Sequence, residues 1–205
     1  MPSNIRNPLN AGLLMLLAVI LTGFAVAFGF GVDADRNFLK ALAMREGADP
    51  DALIETVRWI TWVGDPAPRS FVLIGFAGWL AYRKRLRSAL VMLVLPPVAG
   101  VTNSILKEAF ARPRPDVVPH LDFVASLSFP SGHAANTMAI LLTAALLIPS
   151  KLRAVWIGGA LAMALLVALS RPMLGVHYPL DVLAGAMWGA GFALIALAYA
   201  RRLEG

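Results

Sequence analysis

Residues 134–169 read AANTMAILLTAALLIPSKLRAVWIGGALAMALLVAL, and this stretch decides the fold class. It contains two apolar runs, 134–148 and 154–169, joined by a short turn that carries Lys151 and Arg153. Runs of this length without internal charge are typical of membrane-spanning helices once their flanking residues are included. The stretch therefore predicts two consecutive transmembrane helices with a basic connection.

Four further apolar runs, at residues 9–32, 71–82, 89–110 and 180–200, extend this pattern over the chain. Of the 205 residues, 59% are hydrophobic and 15% are charged, which is too apolar for an ordinary soluble domain. We therefore expect an all-α polytopic membrane protein with six transmembrane helices, forming one membrane-embedded domain over residues 1–205. The run at 71–82 is the shortest and needs flanking residues to cross a bilayer.

The first run has two features of a cleaved signal peptide. Arg6 precedes it, and the triplet Ala25-Val26-Ala27 has the small-x-small spacing of a cleavage site. The apolar run nevertheless continues to Val32, which is longer than the apolar region of a signal peptide. We therefore expect this segment to remain as the first transmembrane helix.

The positions of Lys and Arg predict the orientation of the helices. Nine of the 18 basic residues, with one acidic residue, lie at the N-terminus, after the second and fourth runs, and at the C-terminus. If every run crosses the membrane, these segments share one side, which carries +8 against −2 on the other. The positive-inside rule then places both termini in the cytoplasm.

Residues 33–69, between the first and second runs, differ from the other connections. Apolar residues recur there at helical spacing among charged neighbours, first at Phe38 and Leu39 and then at Ile54 and Val57. This pattern predicts two short amphipathic helices at the outer membrane interface. The alternative is a solvated loop with incidental apolar residues.

Composition argues against two kinds of function. The net charge is +6, but the basic residues flank apolar runs instead of forming a stripe with interleaved aromatic residues, so no nucleic-acid partner is expected. The chain contains no cysteine, which excludes disulfides, thiolate metal sites and a thiol nucleophile. The chemistry must therefore come from His, Lys, Arg, Ser and Asp.

Three polar motifs lie at the ends of apolar runs on the predicted outer side. The first is KEAFARPRP at residues 107–115, in which Lys107 supplies a point charge and Arg114 a planar fork suited to phosphate oxygens. Taken alone, these cations could equally be interfacial side chains that extend toward lipid head groups.

The second motif is PSGH at residues 130–133, where Ser131, Gly132 and His133 open the fourth run. The unpaired N–H groups at a helix start form an anion-binding site. Ser131 has the alternative role of a helix N-cap. His133 is suited to acid–base chemistry because histidine titrates near neutral pH, with packing as its alternative role.

The third motif is SRPMLGVHYPLD at residues 170–181, which contains Arg171, His177 and Asp181. The four-residue spacing lets the Asp181 carboxylate reach a ring nitrogen of His177 and select the tautomer that a nucleophile or base needs. Asp181 could instead act only on the helix dipole. All three motifs are predicted on one side of the membrane, which favours a shared site.

Together the motifs resemble the signature of the type 2 phosphatidic acid phosphatase superfamily, and every position of that signature is matched. The matching residues are Lys107, Arg114, Pro115, Pro130, Ser131, Gly132, His133, Ser170, Arg171, His177 and Asp181. The resemblance implies a metal-independent hydrolase without a cofactor, in the integral-membrane branch of that superfamily.

The resemblance also implies a role for each site residue. His177 would form a phosphohistidine, Asp181 would orient it, and His133 would protonate the leaving oxygen and later activate water. The phosphate-binding residues would be Lys107, Arg114, Ser131, Gly132 and Arg171.

The expected substrate is a lipid phosphate whose tail stays in the bilayer. Candidates are a polyprenyl diphosphate such as undecaprenyl diphosphate, phosphatidate or phosphatidylglycerophosphate, and a lipid A phosphate. A lipid-to-lipid phosphotransferase and a non-catalytic carrier of anionic lipids are the alternatives. We expect the site on the periplasmic or extracellular side of the cytoplasmic (inner) membrane, where Arg112, His120 and Asp122 are further candidates for head-group contact.

Overall fold

The computed structural model describes residues 7–204, so Arg6, counted above as a cytoplasmic flank, lies outside the described residues. This part of the chain forms eight helices joined by loops and contains no β-strand. The helices are α1 (Pro8–Ala27), α2 (Val32–Leu42), α3 (Asp51–Trp62), α4 (Pro66–Tyr82), α5 (Leu86–Phe110), α6 (Gly132–Leu147), α7 (Arg153–Met173) and α8 (Pro179–Glu204). The predicted all-α class is confirmed.

Four helices are long and apolar enough to cross a membrane, namely α1, α5, α7 and the segment Pro179–Leu203 of α8. They confirm a multi-pass membrane protein. Helices α4 and α6 have 17 and 16 residues. At about 1.5 Å per residue they are roughly 26 and 24 Å long, which is less than the roughly 30 Å hydrocarbon core. The count of six transmembrane helices therefore stays a prediction.

Helix α8 lies in the middle of the bundle and contacts α1, α5 and α6. Two glycines bring α8 against α6: a Cβ atom on Gly185 would collide with the carbonyl of Ser131, and one on Gly189 with the carbonyl of Ala135. Small residues commonly permit this kind of close helix contact in membranes. The contact fixes the second motif, at the start of α6, beside the first turns of α8.

Helices α2 and α3 confirm that two short helices connect the first and second apolar runs. Leu39 and Ile54 are buried, whereas Phe38 and Trp59 are exposed, so each helix has a packed side and an open side. Leu39 packs against Tyr178 of the third motif. The two helices therefore cover the end of the bundle that carries the motifs, and their position at the outer interface stays a prediction.

Candidate active site

The three motifs meet at one end of the helix bundle. Arg114 of the first motif lies 3.1 Å from His177 of the third, measured from Nη1 to Nε2. The second motif joins them, because the backbone N–H of Ser131 donates to the carbonyl of Asp181 at 2.8 Å. The predicted convergence is therefore present in the folded chain, whichever side of the membrane this end faces.

His177 lies in the loop between α7 and α8 and is 2% exposed. The loop turns at Gly175, whose φ of +76° lies in the left-handed region that favours glycine. A side chain at this position would also collide with the carbonyl of Pro119. Gly175 therefore allows the tight reversal that brings His177 against Arg114.

The Nδ1 side of His177 faces a serine and a carboxylate. Ser128 Oγ lies 3.3 Å from Nδ1, and Asp181 Oδ2 lies 3.5 Å from it. The Ser128 hydroxyl donates to Asp181 Oδ2 at 2.5 Å. The predicted pair of His177 and Asp181 is therefore present as a contact longer than a hydrogen bond, and Ser128 lies closer to both of its members.

Asp181 stands back from the imidazole because other groups hold its carboxylate. Oδ2 accepts the N–H of Tyr178 at 3.0 Å, and Oδ1 accepts from Arg112 Nη1 at 2.5 Å. Arg112 Nη2 donates to Asp35 Oδ2 at 2.8 Å, so one guanidinium bridges two buried carboxylates. Asp35 also accepts the N–H of Leu180 at 2.9 Å. This network ties α2 to the carboxylate that faces His177.

Burial and positive charge set the protonation of the site. Burial lowers the pKa of His177 well below the ordinary histidine value, and the charges of Arg114 and Lys107 lower it further. The imidazole is therefore neutral near pH 7, as a nucleophile requires. Burial lowers the pKa of Arg114 to about 10, so this side chain stays charged at neutral pH. Burial raises the pKa of Asp35, and the hydrogen bonds that its carboxylate accepts oppose this effect.

Backbone carbonyls anchor two of the predicted phosphate-binding cations. Lys107 Nζ donates to the carbonyl of Leu127 at 2.5 Å. Arg114 donates from Nε to Ser126 O and from Nη1 to Val176 O, both at 2.6 Å. A carbonyl orients a cation without cancelling its charge. Both side chains therefore keep a positive charge that an anion at this end of the bundle can use.

Arg171 and Ser131 have buried polar atoms without partners. Arg171 Nη1 donates to Thr61 Oγ1 at 2.5 Å and to Asp122 Oδ2 at 2.8 Å. Its Nε and Nη2 atoms, and the Ser131 hydroxyl, have no hydrogen-bond partner within the part of the chain that the structure describes. A buried polar group without a partner is costly. These atoms are therefore suited to binding an anion.

The start of α6 forms another side of the same space. Gly132 is the first residue of the helix, where N–H groups lack helical partners. Ser131 precedes it as the N-cap residue but makes no side-chain capping bond, so the alternative role considered for its hydroxyl is not observed. A Cβ atom on Gly132 would lie 3.8 Å from Lys107 Cε. The helix start therefore faces the lysine across an uncrowded gap.

His133, in the first turn of α6, pairs with a carboxylate from a different part of the chain. Its Nε2 atom lies 2.9 Å from Oδ1 of Asp65, the residue that precedes α4. Gly64 lies against the ring, because a Cβ atom on Gly64 would be 2.8 Å from His133 Cδ2. Because Asp65 occupies Nε2, Nδ1 is the ring nitrogen left for another partner.

Sequence patterns did not identify three residues of this site. Ser128 lies just outside the second motif, and nothing in its spacing singles it out. Asp35 belongs to the charged pattern of an amphipathic helix, which predicts a solvated side chain. Asp65 stands before Pro66 at a helix start, which indicates a capping residue instead of a partner for histidine.

The three loop residues considered for head-group contact make contacts within the protein. Arg112 bridges the carboxylates described above, and Asp122 pairs with Arg171. His120 Nε2 lies 2.7 Å from the carbonyl of Pro115, within its own loop. These contacts favour a supporting role for Arg112 and Asp122, and contact with a lipid head group stays a prediction.

Known proteins with similar sequences and folds are lipid phosphatases. Residues 85–204 match the family model of the PAP2 superfamily. The chain is 30% identical over 189 residues to a lipid A 1-phosphatase of Rhizobium etli, covering 84% of this chain and 68% of that protein. It is 33% identical over 145 residues to a decaprenylphosphoryl-5-phosphoribose phosphatase of Mycobacterium tuberculosis, covering 69% and 77%. The crystal structure of a transmembrane PAP2-type phosphatidylglycerolphosphate phosphatase from Bacillus subtilis superposes with a TM-score of 0.85 at 26% identity, covering 94% and 96%.

Proposed function

Because the chain belongs to the PAP2 superfamily, we propose that its three motifs form a hydrolytic site that works through a phosphohistidine. The protein is a membrane lipid phosphatase, a hydrolase of phosphate esters. The proposal concerns the residues that perform the reaction, the lipid they act on and the side of the membrane on which they do so.

One observation carries the choice of nucleophile: the two ring nitrogens of His177 have opposite environments. Nε2 lies 3.1 Å from the Arg114 guanidinium, whereas Nδ1 faces Ser128 and Asp181. This arrangement favours a proton on Nδ1 and a lone pair on Nε2 that points toward the cations. A histidine oriented in this way by acceptors is suited to nucleophilic attack.

In the first step, the Nε2 lone pair of His177 attacks phosphorus and the bond from phosphorus to the lipid oxygen breaks. His133 gives the proton on Nδ1 to that oxygen, while Asp65 stabilises the imidazolium before transfer. Preorganised donors bind the three equatorial oxygens and stabilise their charge. These donors are Lys107, Arg114, Ser131, the N–H of Gly132, and the unpartnered nitrogens of Arg171.

In the second step, His133, now neutral, takes a proton from a water molecule as the water oxygen attacks the phosphohistidine. The nitrogen–phosphorus bond breaks, inorganic phosphate leaves and His177 returns to its neutral form. Between the two steps the phosphorylated imidazole is positive, and Ser128 and Asp181 stabilise that charge from the Nδ1 side. The cycle uses the protein's own residues and water.

We further propose six transmembrane helices, with α4 and α6 as the two short ones, and an active site that faces the periplasm or the cell exterior from the cytoplasmic membrane. The excess of basic residues at the opposite end of the helices supports this orientation. A cysteine introduced at Ser126, near the site, should react with an impermeant maleimide in intact cells. A cysteine at Lys151 should not, and the reverse pattern would contradict the orientation.

The lipid is proposed from the candidates above: a polyprenyl diphosphate, a glycerolipid phosphate or a lipid A phosphate. The relatives are named for different lipids. They therefore support cleavage of a lipid phosphate more strongly than they support any one head group. A lipid-to-lipid phosphotransferase would use the same phosphohistidine with a lipid hydroxyl in place of water. Formation of a phosphorylated acceptor lipid without matching free phosphate would favour that reaction.

The mechanism is tested by phosphate release from detergent-solubilised lipid phosphates. His177→Ala should reduce the rate by more than about 10³, because the covalent route is lost. Lys151→Ala, which changes an exposed residue in the turn between α6 and α7 at the opposite end of the helices, is the control and should stay within a few-fold of the wild type. An unchanged rate in His177→Ala would refute the proposed nucleophile and would leave lipid binding without turnover as the better description.

Metal independence is tested with chelators. No proposed step uses a metal ion, so the rate in excess EDTA should equal the rate without EDTA. Loss of activity in EDTA that is restored by one added divalent metal would contradict the proposal. It would instead indicate that His133 and His177 act as metal ligands.

A further inference from the structure

A polar cleft opens beside the active site between α4, α5 and α6. It has a volume of about 340 Å³. Arg69 and Ser70 of α4 form one wall, Gly100 and Ser104 of α5 a second, and Asn136 of α6 a third. The remaining lining residues are apolar, namely Leu73, Pro96, Pro97, Val101 and Ile140. A charged side chain among apolar residues is commonly functional, so Arg69 and the polar groups beside it suggest a polar ligand.

The cleft lies next to the proposed phosphate site. Asn136 stands between the two: its Oδ1 atom would be 2.5 Å from a Cβ on Gly100, and its Nδ2 atom would be 4.0 Å from a Cβ on Gly132. Asn136 Nδ2 also donates to the carbonyl of Gly132 at 2.8 Å. One side chain thus borders both the cleft and the start of α6. A substrate held by its terminal phosphate at Gly132 can extend into the cleft.

Arg69 lies on the same side as the proposed general acid. Its Nη1 atom donates to the carbonyl of Gly64 at 3.3 Å, and Gly64 lies against the ring of His133. The nearest acidic side chain along the chain, Asp65, is paired with His133. Arg69 is half-buried. Its guanidinium is therefore a charged group held beside the acid and directed to the cleft, with most of its donors available to a ligand.

We propose that this cleft binds the leaving-group side of the lipid head and that Arg69 recognises a second anionic group there, so that the preferred substrate class is a lipid diphosphate. The inference rests on the proposed function, because it assumes that the terminal phosphoryl group lies in the proposed phosphate site and that His133 protonates the leaving oxygen.

In a lipid diphosphate the leaving group is itself a phosphate. His177 forms a bond to the terminal phosphorus, the bond from that phosphorus to the bridging oxygen breaks, and His133 supplies the proton that the bridging oxygen takes up. The product is a lipid monophosphate, whose charge Arg69 neutralises as it develops. When the substrate is a lipid monophosphate, the leaving group is a neutral alcohol, and its departure gains nothing from this cation.

Two substrates with one tail separate these cases: farnesyl diphosphate and farnesyl monophosphate, each assayed in the same detergent at initial rate. Arg69→Gln should lower kcat/KM for the diphosphate by roughly tenfold to a hundredfold, the range that one hydrogen bond to a charged group carries. The monophosphate value should change by less than about threefold, which also shows that the variant is folded. Arg69→Lys keeps the charge but loses the planar guanidinium, so its loss in kcat/KM for the diphosphate should be intermediate.

Arg36→Gln is the matched control, because it removes an exposed arginine of α2 from the same end of the bundle. It should leave the ratio of the two kcat/KM values unchanged. An equal loss on both substrates in Arg69→Gln would overturn the inference and assign Arg69 to the positioning of His133. No loss on either would also overturn it. A wild-type protein that cleaves neither farnesyl lipid would overturn the inference. Phosphate release from a glycerolipid or lipid A phosphate in the same assay would then leave the proposed function standing, and no release from any of these lipids would overturn that function as well.

Discussion

The two ends of the helix bundle use arginine in different ways. At the end opposite the site, Arg85 donates to the carbonyl of Leu147 at 2.6 Å, and Arg87 donates to the carbonyl of Leu203. These carbonyls lie at the C-terminal ends of α6 and α8, where helix carbonyls lack helical partners. These two arginines therefore complete helix ends.

At the site end, Arg112 and Arg171 are buried and reach between elements far apart in the sequence. Arg112 bridges Asp35 and Asp181, and Arg171 keeps two nitrogens without a partner among the described residues. Each of these helix-end arginines donates to a helix carbonyl, whereas Arg171 in the proposed phosphate site retains donors for a ligand. The difference lies in burial and partners, which composition does not reveal.

Among the arginine variants, the largest effect on turnover should follow from Arg171→Met. The variant removes two buried donors that have no partner among residues 7–204. Loss of one transition-state donor commonly costs about 10²–10³ in kcat. Phosphate release measures the effect, and circular dichroism in detergent checks the fold. If Arg171→Met keeps more than about a tenth of wild-type kcat, the two nitrogens do not bind the transferred phosphoryl group.

Arg112→Met should act mainly on stability. It leaves two buried carboxylates without their cation, a change that costs about 3–5 kcal/mol for a buried pair. Thermal unfolding in detergent measures the loss. The double variant Arg112→Met with Asp35→Asn should recover part of it, because one uncompensated charge is removed. A double variant no more stable than the single one would show that Asp35 and Arg112 are not coupled.

The pH dependence of kcat/KM tests how burial and nearby cations affect the pKa of His177. Because burial and nearby cations lower the pKa of His177, the neutral nucleophile persists as pH falls, and the acid limb should lie below the ordinary histidine pKa of about 6.5. Arg114→Gln removes one of those cations, so protonation becomes easier and the limb should move to higher pH. Movement to lower pH would contradict the assignment of the limb to His177.

Ser128→Ala should have a moderate effect. It removes the hydroxyl that lies 3.3 Å from His177 Nδ1 and donates to Asp181, while leaving the Asp181 contacts to Arg112 and to the backbone. A neutral hydrogen bond contributes about 0.5–1.5 kcal/mol, so kcat should fall by roughly threefold to tenfold. A loss as large as that of His177→Ala would mean that Ser128 takes part in the chemistry directly.

The smallest effect should come from the opposite end of the bundle. Arg87→Ala removes an exposed helix-end contact, and kcat should stay within about twofold of the wild type. Phosphate release by this variant is the comparison for Arg171→Met, because both lose one arginine. Equal losses of kcat in the two variants would contradict the proposed difference between the two ends of the bundle.

Local spacing predicted the parts of this site that are close in sequence. His177 and Asp181 are four residues apart at a helix start, and Ser131 and Gly132 open a helix, so their geometry follows from the backbone. The apolar runs likewise predicted the long helices, because membrane burial requires about 20 apolar residues in each. In these regions, neighbouring residues determine the structure.

Residues whose partners lie far along the chain were not predictable in this way. Asp35 belongs to a helix with alternating charge, yet packing of α2 against the bundle buries it to 3% exposure beside Arg112. Asp65 reaches His133 only because α4 and α6 lie side by side. Both contacts depend on the packing of helices, and a sequence pattern within one helix contains no information about its neighbour.

The glycine contacts between α6 and α8 have a consequence for how head-group specificity can change. Gly185 and Gly189 hold α6 and α8 in close contact, so Asp181 and the start of α6 belong to one packed block. Arg69 belongs to α4, outside that block. Substitutions at Arg69 and its neighbours in the cleft can therefore change the proposed head-group site while this packed block and the Asp65 contact to His133 are retained.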